Sequence, residues 1–295
     1  MARATGGPWI AYTVFTDANV SPMPTKGAVR MTLVSSETIF EVRWHLASQP
    51  TRPLGPEDLP SDMNELMTLI MGSPSDPWYT AGTDRIAAAA QQRYPRHERL
   101  PSALVPPGLA RFTVQERFRS ANDWPLVQIG PGIVTFNTLE VPVNASESAK
   151  ELDALWQEIR ALYPTHAAIR LAGLSCSVVE RHSLPSVAAL PPMLEQLGLP
   201  PLAAPARGLA FAGQLLWEST FADPADSSVL VTWSVRARLP AAPRPSGEAA
   251  EPGVEWRRVI SDNAERSADD PIVPALVRLN DRIGRVGGFA HDATD

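Results

Sequence analysis

Two nearly identical phrases, Arg93-Tyr94-Pro95-Arg96-His97 and Leu162-Tyr163-Pro164-Thr165-His166, each close a helix-like segment and precede a strand-like one. A proline just past the last turn has no N–H with which to continue the helix, and it drives the tyrosine before it out of the α region. A chain that makes this move twice is constrained to an α+β architecture, with antiparallel sheets packed against helices. The expected organisation is a duplication: a first half over 37–143 and a second over 144–295, of ferredoxin-like character, with residues 1–36 as an N-terminal extension.

The clearest strand precedes the first helix. Across Glu37 to Leu46, Phe40, Val42, Trp44 and Leu46 alternate with Ile39, Glu41, Arg43 and His45. That period of two marks a strand with one buried face and places His45 on the polar side. Residues 48–80, rich in Pro, Ser and Asp, read as a loop-rich insertion interrupted by the apolar stretch Met63 to Met71. In the extension, Trp9 to Phe15 and Val29 to Val34 are short strand candidates. Thr83 is the expected N-cap of a helix over 84–93. A three-stranded meander follows, formed by Leu109 to Arg119, Leu126 to Ile129 and Ile133 to Val141, with turns at Asn122-Asp123 and Gly130-Pro131-Gly132.

In the second half, Asn144 and Glu147 suit a capping box, and Leu152, Leu155, Trp156, Ile159 and Leu162 form a helical stripe. A strand over 168–181, a short helix near 187–197 and an antiparallel pair (Gly208 to Phe221, Ser228 to Leu239) are expected next. The flexible loop 240–252 precedes a strand over Gly253 to Ile260. The closing helix, 271–286, starts at Asp269-Asp270-Pro271, where two carboxylates meet the positive end of the helix dipole.

Several chemistries lack their sequence signatures. The five histidines (45, 97, 166, 182 and 291) show no metal-ligand spacing, Cys176 is the single cysteine, and no glycine-rich phosphate loop occurs. No metal and no cofactor is therefore expected. Gly173-Leu174-Ser175-Cys176-Ser177 lies within a strand pattern and lacks the second glycine of a nucleophile elbow. A net charge of −6 argues against broad electrostatic adhesion to nucleic acid or acidic membranes. With neither an apolar leader nor a run of 18 apolar residues, the chain is expected to be cytoplasmic and to have no membrane partner.

The ordered set Phe40-Glu41-Val42-Arg43-Trp44, Tyr94-Pro95-Arg96-His97-Glu98, Trp124-Pro125-Leu126-Val127-Gln128-Ile129, Ile169 to Glu180 and Leu279-Asn280-Asp281-Arg282-Ile283, ending on Ala-Thr-Asp, resembles a sporadically distributed, uncharacterised family of prokaryotic proteins. The resemblance spans about residues 37–295 and departs at Gly287-Gly288, where a larger apolar-aromatic run belongs. It implies no activity. The family's patchy distribution is like that of genes in mobile or anti-phage islands.

Three readings of function follow. The first is a non-enzymatic binding or regulatory protein acting through a protein partner. The strands bearing Trp217 and Trp233 are expected to turn these rings into the core, and a tryptophan left at an open sheet edge would favour such a partner. The second is an RNA- or nucleotide-binding protein, in which Arg93, Arg96, Arg99, Arg111, Arg117 and Arg119 line a sheet face suited to phosphate. An ordinary solvated face whose arginines pair with nearby acids competes with it. The third is an enzyme using His97 with Glu98 for acid–base work, set against a histidine that merely follows a helix stop.

Overall fold

The computed structural model describes residues 31–47, 62–65, 76–105, 110–186, 189–190, 192–193, 214–223, 226–238 and 252–285. Expectations for the rest of the extension, most of the 48–80 insertion and of the 187–197 helix, the loop 240–252 (apart from Pro252) and Gly287-Gly288 lie outside the described residues.

Among the described residues a single antiparallel sheet of ten strands organises the fold. In sequence these are β1 (Thr32–Leu46), β2 (Arg96–Arg99), β3 (Glu116–Arg119), β4 (Leu126–Gly130), β5 (Ile133–Thr138), β6 (Ile169–Ser183), β7 (Gln214–Asp223), β8 (Asp226–Arg238), β9 (Gly253–Asp262) and β10 (Arg266–Ser267). In space they run β2-β3-β4-β5-β1-β6-β9-β8-β7, with β10 pairing β6. The two long strands β1 and β6 form the seam, with Phe40 opposite Cys176 and Val42 opposite Leu174. On each side a meander returns its last strand to the seam, β5 to β1 and β9 to β6.

The two halves therefore share one continuous sheet. In the first half a helix follows β1 and four consecutive strands, β2 to β5, follow that helix. A ferredoxin-like unit runs β-α-β-β-α-β, which is a different order.

Helices α1 (Pro77–Arg93), α2 (Ala145–Arg160) and α3 (Val273–Arg285) pack on one face of the sheet. Phe40, Val42 and Trp44 of β1 with Phe118 of β3, Val127 of β4, Val134 of β5 and Cys176 of β6 meet Leu152, Leu155, Trp156, Leu276 and Ile283 there. The Trp44 and Trp156 rings lie 5.0 Å apart at the centre of this core. A second cluster under the far end of the sheet gathers Val235, Ala237, Val254 and Trp256 with Leu190 and Met193.

Several boundaries differ from the sequence reading. α1 begins at Pro77, so Asp76 and not Thr83 is its N-cap, accepting from the Trp78 and Tyr79 backbone N–H groups at 3.1 and 2.9 Å. The Pro-Trp pair that reads as loop punctuation fills the first helical turn, where a missing N–H costs nothing. Tyr163, from the second Tyr-Pro phrase, donates its hydroxyl to Asp76 Oδ2 at 2.7 Å and accepts from Trp44 Nε1 at 3.0 Å. The helix stop is thus also a buried tie between the two halves. At α2, Asn144 caps the Glu147 N–H at 3.3 Å, while Glu140 in place of Glu147 approaches the Asn144 N–H.

The first meander strand is shortened to Glu116–Arg119, and Arg96–Arg99 pairs with it as an additional edge strand. Phe112 has φ 61°, which breaks the extended run upstream. Thr113 then crosses the end of β4 so closely that a Cβ on Gly130 would stand 2.0 Å from the Thr113 carbonyl oxygen. His45 is buried and not on a solvated face: its Nδ1 lies 2.9 Å from the Leu46 carbonyl oxygen, and Glu265 reaches to 4.0 Å of Nε2. Among the described residues no helix is long and apolar enough to cross a membrane.

Candidate functional site

The six arginines singled out in the sequence do not converge on one face. Alternation along β2 and β3 puts Arg96, Glu98, Arg117 and Arg119 on the face away from the helices, and His97, Arg99, Glu116 and Phe118 on the helix side. Arg93 ends α1 and pairs with Glu158, with Glu151 at 3.9 Å. Arg96 pairs with Asp123, Arg117 with Glu98 at 3.2 Å, and Arg99 with Glu116 at 3.6 Å. Arg111 sits in a turn outside the sheet, its guanidinium 4.7 Å above the Phe112 ring, and burial holds its pKa below the usual arginine value. Arg119 stands opposite Arg96 on the open face. Arg93, Arg96, Arg99 and Arg117 thus have carboxylate partners.

His97 and Glu98 are likewise parted, because neighbouring strand residues face opposite ways. The partner of His97 is Glu116, with Nε2 and Oε2 2.7 Å apart, and the imidazole stacks on Phe118 with ring centroids 4.6 Å apart. Alternation identifies this pair once β2 is recognised as a strand. His166, after the other Tyr-Pro, lies edge-on to Trp78 at 5.6 Å.

The middle of the open face carries a polar ladder that sequence reasoning missed. Asn137 Nδ2 donates to Glu37 Oε1 at 2.6 Å, and Thr135 Oγ1 donates to Asn137 Oδ1 at 2.8 Å. Arg181 bridges Glu37 and Glu255 at 3.3 and 3.1 Å. Ser175 and Arg43 both approach Glu41 Oε1, at 3.2 and 2.7 Å. Such mutual satisfaction is what lets carboxylates stand nearly buried at the centre of a sheet. It leaves them engaged with the protein and not presented to a substrate.

The surface clefts lined by described residues include three. One of about 370 Å³ lies between α3 and the adjoining ends of β8 and β9, with Arg266, Arg278 and Arg282 facing Asp226 and Asp262. Ion pairs Arg266–Asp262 and Arg282–Asp223 offset its charge. The second, about 480 Å³, adjoins Tyr163-Pro164 beside the Arg160–Asp269 pair. The third, about 550 Å³, lies between Trp124, Phe136 and the first turns of α2. None of the three includes His97, and among the described residues no three His, Cys, Asp or Glu side chains converge as a metal site. Burial pushes the Cys176 thiol up to about 12, which keeps it protonated and unreactive at neutral pH.

The remaining feature is an edge. β7 is ten residues long, and among the described strands it pairs with β8 alone. Its open-face side chains Leu216, Glu218, Thr220 and Ala222 are exposed, Leu216 to 58%. Its helix-side residues Trp217, Ser219 and Phe221 are half-buried, with Phe221 6.1 Å from Trp233 and Trp233 6.0 Å from Trp256. The two tryptophans assigned to the core from sequence therefore lie at or next to the outermost strand. A strand edge offers a row of backbone donors and acceptors, and the flanking aromatics supply area and selectivity.

Comparison of the chain with models of known protein families and with curated proteins finds no match to either.

Proposed function

We propose that this chain is a cytoplasmic, non-enzymatic binding protein that engages a protein partner by strand addition at β7. The observation that carries this reading is a ten-residue strand that, among the described strands, pairs on one side, and that bears Leu216, Trp217 and Phe221. Main-chain hydrogen bonds along such an edge supply affinity, and alternate side chains supply selectivity. The family resemblance suggests a mobile-element or anti-phage setting.

A second reading keeps the arginine face. Arg96 and Arg119 oppose each other on the open side, next to Arg117, and this patch would take a phosphate backbone. The ion pairs at Arg93, Arg96, Arg99 and Arg117 weigh against it. The third reading, acid–base chemistry, would rest on His97 with Glu116.

Gentle affinity purification from a native host separates the first two readings. The full chain is compared with a Thr220→Glu variant and with an Arg117→Ala, Arg119→Ala variant. The strand-addition reading predicts a stoichiometric protein with a low 260/280 nm absorbance ratio, lost from the Thr220→Glu variant and retained by the arginine variant. A nuclease-sensitive, high ratio lost from the arginine variant would overturn it in favour of nucleic acid.

A further inference from the structure

We infer that the strand added at β7 comes from a second copy of this chain, paired antiparallel about a two-fold axis through Ser219. The inference rests on the reading of β7 as the binding edge and adds the identity of its occupant.

A two-fold axis perpendicular to the sheet keeps both copies' helices on the same side. Residues directly opposite must then share a face, so the axis passes through a residue and not between two. Only Glu218 and Ser219 lie close enough to the middle of Gln214–Asp223 for nearly the whole strand to pair. Centring on Glu218 sets that carboxylate against its own copy, an arrangement that disfavours pairing. Centring on Ser219 sets Trp217 opposite Phe221 of the second copy, twice, on the helix side. On the open face it sets Glu218 opposite Thr220, and Leu216 opposite Ala222, again twice each. Aromatic pairs directly across strands are among the more favourable contacts a sheet makes. A shift to Thr220 instead sets Trp217 against Asp223.

Over residues 216–222 the sequence of β7 thus complements itself in one central register and repels itself in the neighbouring one. Exposure agrees with this arrangement. The open-face residues that would meet are exposed; Trp217 is half-buried at the rim of the second core cluster and Phe221 is half-buried beside Trp233, which packs on the same cluster, so a matching rim would extend it. In the Ser219 register the two Glu218 carboxylates are diagonal neighbours. Their residual repulsion is screened by salt, so added salt strengthens this dimer, unlike an association driven by opposite charges.

The test uses the full chain. Sedimentation over a range of concentrations should show a monomer–dimer equilibrium. Thr220→Glu brings carboxylates face to face at two positions and should raise the dissociation constant by roughly 2- to 30-fold, the range for two unfavourable cross-strand pairs. Combining Glu218→Arg with Thr220→Glu puts opposite charges across the axis and should restore dimerisation. Both positions are exposed, and circular dichroism checks that the fold is kept. Independently, Ser219→Cys places two cysteines on the axis at a Cα separation of about 4.5–5.5 Å, within disulfide range. Mild oxidation should link the copies through it, whereas Leu216→Cys, whose two copies lie far apart along the strands, should stay unlinked.

A full chain that is monomeric at every concentration overturns the inference, as does a dimer that is indifferent to these substitutions or fails to link through position 219. If that monomer still captures a different protein, and loses it on Thr220→Glu, the occupant is wrong and the strand-addition reading stands. If capture is also indifferent to Thr220→Glu, that reading fails as well.

Discussion

The two edges of the sheet meet the same hazard differently. β2 is four residues long, and each of its side chains is charged or titratable and engaged: Arg96 with Asp123, His97 with Glu116, Glu98 with Arg117 and Arg99 with Glu116. Short length and dense charge are standard means of blunting a sheet edge against unintended pairing. β7 is ten residues long and carries Leu216, Trp217, Thr220 and Phe221, with Glu218 and the terminal Asp223 as its charges. The proposed strand addition at β7 would account for one edge being left long and partly apolar while its counterpart is blunted. The arginine-rich strands, which attract attention in sequence, are the protected end. The tryptophan-bearing strand that looks like core is the exposed one.

The largest expected effect tests whether the two edges belong to one folding unit. Trp156 is fully buried against Trp44 beneath the seam, and Trp156→Ala should cost about 3–5 kcal/mol. Amide exchange should then accelerate in β2 and β7 together. If β7 kept its protection, the halves would be independent and the edges could not be compared as ends of one body.

Alkali comes next. Burial pushes both Cys176 and Tyr94 up to about 12, from ordinary values of 9.0 and 10.0. The unfolded chain therefore ionises first. The stability these groups contribute is complete below pH 9.0 and is lost as pH rises toward about 12. Urea midpoints should be level from pH 7 to about 9 and fall above it. Tyr94 lies just before β2, so exchange should rise at that end before β7, and the reverse order would contradict the assignment.

A smaller, local effect is expected at Glu116, which serves both His97 and Arg99. Both partners keep solvent contact, so Glu116→Gln should cost about 1 kcal/mol and loosen β2 amides alone, read by exchange mass spectrometry. The smallest effect belongs to Arg117→Ala with Arg119→Ala. It should move stability by no more than about 0.5–1 kcal/mol and leave self-association unchanged, because exposed ion pairs contribute little. A large loss of stability or of dimer would place the working surface at the wrong edge.

The elements with strong periodicity were legible in the sequence: the alternation over Glu37 to Leu46, the stripe of α2 and the closing helix all stand close to where the pattern puts them. Asp76 was hidden because its cap is completed by Tyr163 and Trp44, residues distant in sequence, and Pro77-Trp78 resembles a loop. β2 was hidden because Arg96-His97-Glu98-Arg99 has no apolar face of its own, and only pairing with β3 makes it a strand. The same holds for the arginines, whose faces follow from alternation only once the boundaries of β2 and β3 are fixed. The Glu37–Asn137–Thr135 ladder unites side chains 100 residues apart, a partnership no local pattern encodes. The self-complementary register of β7 is written in ten consecutive residues, yet it gains meaning only once that strand is placed at the edge.

The most direct measurement is amide exchange of the full chain followed over a dilution series. The account predicts that β7 amides facing away from β8 are protected at high concentration and released on dilution, while β2 amides exchange at a constant rate throughout. Concentration-dependent protection at β2, or none at β7, would contradict it.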